Sequence, residues 1–96
     1  MYAHVNVWKM NDVGAAWDDS AAREIGAALR EQPGFRSYTL VRSGEWEVIA
    51  IVVFDSEDTM ETAIAAVAPL ARARLTSLVA EPPTRHSGPV LHHVAA

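Results

Sequence analysis

The sequence predicts an α+β fold of ferredoxin-like βαββαβ order: a four-stranded antiparallel sheet with both helices on one face. Two observations carry this expectation. Segments that alternate with a period of two are separated by two segments whose apolar residues recur every three to four positions, and Pro33-Gly34 and Ser43-Gly44 punctuate the changes.

Residues 2–8 form the first strand, with Tyr2, His4, Asn6 and Trp8 on one side and Ala3, Val5 and Val7 on the other. Asn11 or Asp12 then offers a helix cap, and Val13, Trp17, Ala21, Ile25 and Leu29 recur along a first helix that ends before Pro33-Gly34. Residues 35–42 alternate again, Ser43-Gly44 makes a tight turn, and residues 46–54 are apolar on both sides, as a central strand requires.

Asp55-Ser56-Glu57-Asp58 supplies capping oxygens and negative charge at the start of a second helix carrying Met60, Ile64, Val67, Ala71, Leu75 and Leu78. Pro69 removes a backbone donor, which predicts a kink or break near Val67 and a second segment over residues 70–79. Residues 88–94 alternate well enough for a fourth strand, in which His92 and His93 point to opposite faces. This order places strands one and three in the middle of the sheet. It leaves Val5, Val7 and one side of strand three on a face that no helix covers, and an apolar patch of that kind predicts a homodimer.

The chain has 96 residues, half of them apolar, and reads as one domain over residues 1–96. It has no apolar run near the ~20 residues of a membrane helix, and no basic and apolar leader opens it, so no membrane association is expected. With no cysteine, thiolate metal sites, disulfides and Cys nucleophiles are excluded, and the cytoplasm is the expected location. A net charge of −4 with scattered basic residues argues against nucleic acid as a partner. Two imidazoles without a nearby carboxylate make a poor metal site, so neither a metal nor another cofactor is expected.

Candidate site residues gather on strand one. Asn is depleted from strands, so Asn6 either holds a substrate oxygen or is satisfied inside the protein. His4 either deprotonates a phenol or is a structural histidine, its ordinary pKa of about 6.5 suiting it to the first role. Trp8 and Tyr2 on the same side either stack a flat ligand or belong to the core, and Trp17 lies on the apolar stripe, where it can line a pocket wall.

Pro33-Gly34-Phe35, Tyr38-Thr39-Leu40-Val41-Arg42, Gly44, the β-rich run ending in Phe54-Asp55-Ser56 and the Ala-rich helix after it resemble the antibiotic biosynthesis monooxygenase family and its dimeric α/β-barrel relatives. The resemblance follows element order over residues 2–95 and is sharpest from Pro33 to Ser56. It implies a dimeric α/β barrel with a pocket between sheet and helices, and an activity among cofactor-independent oxygenases of polycyclic phenols, haem-degrading enzymes and proteins without known substrate. It also implies pocket roles for Asn6 and, as loose equivalents of a Trp, an Arg and a Tyr around the phenol, for Trp8 or Trp46, Arg42 and Tyr38. Phe54 stands where haem-degrading members carry a Trp, and no axial His occurs from Ser56 to Ala80, which argues against haem.

Two functions follow as expectations. In one, Asn6 and His4 act on a planar, apolar, oxygenated small molecule bound by Trp8, Tyr2, Tyr38, Trp17 and Phe54, and oxygen chemistry proceeds without a cofactor. In the other, the same dimer is a noncatalytic small-molecule-binding or structural module.

Overall fold

The computed structural model describes residues 1–16 and 19–96. Its elements run β1 (Tyr2–Lys9), α1 (Asp12–Ala15), α2 (Ser20–Arg30), β2 (Phe35–Gly44), β3 (Glu47–Phe54), α3 (Glu57–Leu75) and β4 (Thr84–Pro89). The sheet order is β2-β3-β1-β4, with every neighbouring pair antiparallel. The ferredoxin-like α+β fold and the central position of strands one and three are as the alternation predicts.

Directly opposed residues of an antiparallel pair share a face, so the register sorts the sheet into rows. Ser87, His4, Val52 and Tyr38 form one row across β4, β1, β3 and β2. Arg85, Asn6, Ala50 and Leu40 form the next, and Trp8, Val48 and Arg42 the one beyond it. This is the helix-covered face: Val48, Ala50, Val52 and Phe54 are buried on it, and Val52 and Phe54 pack with Ile25 and Leu29 of α2 and Met60, Ala63 and Val67 of α3. Removing such side chains from water is the main force holding helices to sheet. Arg74 of α3 pairs with Glu24 of α2 at 3.0 Å and links the two helices at their surface.

The opposite face carries Ala3, Val5, Val7, Ile49, Ile51 and Val53, all half-buried, with Val41 43% exposed beside them. No helix of the described residues is long and apolar enough to cross a membrane.

Local chemistry explains the element ends. Asn11 accepts the Gly14 N–H at 3.0 Å and so caps α1, while its own amide donates to the Ser77 carbonyl at 2.9 Å. Ser56 and Thr59 form a reciprocal capping box at the start of α3. Gly34 has φ +82°, a conformation that L side chains rarely adopt, and its carbonyl accepts from Asp55 N–H at 2.8 Å, joining the entry of β2 to the exit of β3.

Three expectations need correction. The single first helix is two helices, α1 and α2: a four-residue spacing of apolar residues marks a face and not where a helix begins or ends. The second helix does not break at Pro69: α3 runs unbroken from Glu57 to Leu75. Pro69 and Ala65 are both exposed, so the carbonyl left without a partner faces water. The fourth strand is Thr84–Pro89 and not residues 88–94. His86 therefore lies in the sheet, opposite Val5, whereas His92 and His93 follow β4 in an exposed tail and cannot stand beside His4.

Candidate active site

The β1 stripe is the spine of the site. Tyr2, His4, Asn6 and Trp8 all point to the helix-covered side, with about 7 Å between successive members of the stripe. Ala50 stands across from Asn6, and its small side chain leaves space above the sheet that a larger residue would fill.

Two cavities share the wall made by Ala22, Tyr38, Leu40 and Val48. The larger, about 370 Å³, lies between the start of α2 and β2, and Asp19, Arg23 and Arg42 add its polar groups. That volume falls within the roughly 300–1,000 Å³ of small-molecule sites. The narrower one, about 40 Å³, continues inward, where Trp8, Met10, Ile25, Ala50 and Leu75 are among its apolar walls. Asn6 lines neither cavity; it stands on the same face beside Trp8 and Ala50, which line the inner one.

Asn6 has an electrostatic singularity. Its Oδ1 is buried and has no hydrogen-bond partner among the described residues. A buried acceptor left unmade costs about 1–3 kcal/mol, so this atom is one that a donor from outside would satisfy.

Burial holds the His4 imidazole below its ordinary value of 6.5, and the positive charge of Arg85 adds to that depression. The Asn6 side chain acts in the opposite sense, favouring the cation, although no hydrogen bond of proper geometry reaches Asn6 Oδ1. The net result is a neutral imidazole at neutral pH, able to accept a proton. Tyr38 is shifted upward from 10.0 by burial, so its phenol stays protonated in the cavity wall. Arg42 is held in place by Nη2 bonds to the carbonyls of Ala15 at 2.8 Å and Glu45 at 3.0 Å.

The expected site residues divide into four groups. Trp8 and Tyr38 line the cavities; His4 and Asn6 continue the same face toward β4. Tyr2 is half-buried and packs against the core. Phe54 is fully buried at 0% exposure, with Phe35 edge-on at 5.7 Å, and it lines neither cavity, so it is a core residue with no surface for a ligand. Trp17 lies outside the described residues. Sequence reasoning missed Arg85, Arg23 and Leu40. Only the register of β4 reveals the first, whereas the alternation of β2 already placed Leu40 beside Tyr38. Among the described residues no three His, Asp or Glu side chains converge as metal ligands would.

An α+β sheet with helices on one face, a bare apolar face on the other and a cavity beneath α2 defines the class. The fold is that of the antibiotic biosynthesis monooxygenases. SnoaB, a cofactor-independent oxygenase from Streptomyces nogalater, in its N63A form superposes with a TM-score of 0.81 at 23% identity, over 99% of this chain and 97% of that one. Rv0793 from Mycobacterium tuberculosis gives 0.82 at 16% identity over 98% of both chains. A structure described as an antibiotic biosynthesis monooxygenase gives 0.72 at 12% identity, covering 96% of this chain and 100% of that one. No protein-family model matches the sequence, and no curated protein matches it.

Proposed function

We propose that this protein is a cofactor-independent monooxygenase that binds a planar, apolar, oxygenated small molecule, a polycyclic phenol or hydroquinone, between sheet and helices. The observation that carries the proposal is the buried, unpartnered Oδ1 of Asn6, beside Trp8 and Ala50 of the inner cavity wall. A ring hydroxyl donates to Oδ1 while the rings lie against Leu40 and Tyr38 in the larger cavity, the inner space of about 40 Å³ being too small for them. The likeness to SnoaB supports the same reading.

In the proposed reaction neutral His4 takes the phenolic proton, and Asn6, whose amide is both acceptor and donor, stabilises the oxyanion. The phenolate passes one electron to O₂, and the radical pair recombines to form a C–O bond at the ring carbon conjugated with the oxyanion. The resulting peroxide takes up a proton and loses water across its O–O bond and the neighbouring C–H bond, leaving a carbonyl. One oxygen atom enters the product and the other departs as water.

The protein acts as a homodimer in the cytoplasm. Joining the two bare sheet faces removes Val5, Val7, Ile49, Ile51 and Val53 from water.

Oxygen uptake with a panel of polycyclic phenols and hydroquinones tests this function. Uptake above the uncatalysed rate that drops at least tenfold in both Asn6→Ala and His4→Ala is expected. Saturable binding without uptake would leave a binding module, and unchanged uptake in both variants would remove these residues from the chemistry.

A further inference from the structure

Two unmet demands stand side by side on β1 and β4. Asn6 Oδ1 is a buried acceptor without a donor, and the residue directly opposite it is Arg85, on the same face and about 5 Å away across the strands. The ion pairs of the described residues are Lys9–Glu47, Arg23–Asp19, Arg36–Asp55 and Arg74–Glu24, and none includes Arg85. Nor does its surroundings on the sheet supply an anion. The helix-side residues of β1 are Tyr2, His4, Asn6 and Trp8, and those of β4 are Arg85, Ser87 and Pro89, with no carboxylate among them. The guanidinium is close enough to His4 for its charge to be felt there.

A cation that lacks an anion beside an acceptor that lacks a donor is satisfied by one ligand bearing both groups. We propose that Arg85, with Ser87 opposite His4, forms an anion-recognising end of the site, and that the preferred ligand is a hydroxyaryl carboxylate whose hydroxyl meets Asn6 and whose carboxylate meets Arg85. The reading rests on the small-molecule site proposed above. It also narrows the ligand: hydroxyl and carboxylate meet different side chains and so are separate ring substituents, and a meta arrangement leaves the hydroxyl free of an internal hydrogen bond. Arg binds carboxylate through two parallel N–H donors, which fixes orientation as well as charge. The apolar wall of Leu40 and Tyr38 in the larger cavity receives the rings, and the charged end remains at the sheet edge, where Arg85 is exposed.

The test compares 4-hydroxy-2-naphthoate with 1-naphthol, which has the same rings and hydroxyl but no carboxylate, by fluorescence titration of the whole protein. The naphthoate is expected to bind at least tenfold more tightly. Arg85→Ala should erase that preference while leaving 1-naphthol affinity within twofold, and Arg85→Lys should restore part of it. Equal affinity of the wild-type protein for both probes, or a preference that survives Arg85→Ala, overturns the anion end alone. Failure of both probes to bind overturns the small-molecule site and the anion end together.

Discussion

Gly26 of α2 lies directly over the ring of Tyr38: a β-carbon built on Gly26 would stand 3.1 Å from Tyr38 Cδ2 and 3.3 Å from Cε2. The absence of a side chain at position 26 therefore lets the helix settle onto the ring, and the ring in turn forms the wall common to both cavities. Gly26→Ala is expected to push Tyr38 a few tenths of an ångström into the cavity. Better helix propensity, worth up to about 1 kcal/mol, offsets the crowding. Denaturant unfolding should thus show a change within about 1 kcal/mol, whereas 1-naphthol affinity falls. Unaltered affinity would show that the ring does not border the ligand.

Asn6 illustrates the conflict between stability and function. Asn6→Val replaces an unpartnered buried amide with a β-branched residue suited to a central strand, and should stabilise the fold by about 1 kcal/mol while abolishing phenol binding. Urea midpoints and ligand titration of the same preparation check both halves. A loss of 2 kcal/mol or more would mean that the amide serves the fold itself.

For His4 the pH dependence has a definite sign. Its folded pKa lies below the ordinary 6.5, so between those values the unfolded chain binds more protons than the folded one. The contribution of His4 to stability is complete above pH 6.5 and is lost as the pH falls through the window down to the folded value. An NMR titration of the imidazole should give a midpoint below 6.5, and Arg85→Ala should move it upward. Replacing the imidazole in His4→Gln should flatten the acid-side decline of stability; an unchanged slope would assign that decline to other groups.

The bare sheet face predicts the assembly. Light scattering after size exclusion should give twice 10.4 kDa, and Ile51→Lys, which puts a charge at the middle of that face, should give 10.4 kDa. A wild-type monomer at micromolar concentration would refute the pairing of sheet faces.

Much of the site was legible because strand alternation is a strict period of two. Once Tyr2, His4, Asn6 and Trp8 share a side, the burial of their β3 neighbours Val48, Ala50, Val52 and Phe54 decides which side the helices cover. Capping was equally plain, since Asn11 and Ser56 each sit where a short polar side chain can reach a free N–H. The fourth strand was not legible. Thr84 to Pro89 contains Ser87, Gly88 and Pro89, residues that mark turns in most contexts but that an edge strand, with one side of its backbone unpaired, tolerates. Residues 88–94 alternate better, yet periodicity carries no information about which segment β1 accepts as a partner. The missed strand concealed Arg85 with it. The two-part first helix was hidden because a four-residue recurrence of apolar residues does not say where a helix starts or stops, nor which of its members are buried: Val13 is 64% exposed.

The position of β1 has a consequence for biosynthesis. β1 is a central strand whose two partners, β3 and β4, are both synthesised after it. The β4 side of the sheet therefore closes only after residues 84–89 have left the ribosome. Until then the nascent protein displays the β1 edge that carries His4 and Asn6, with backbone donors and acceptors open to any extended segment nearby. Deletion of β4 would make that transient state permanent, with the β1 edge left open to pairing between chains.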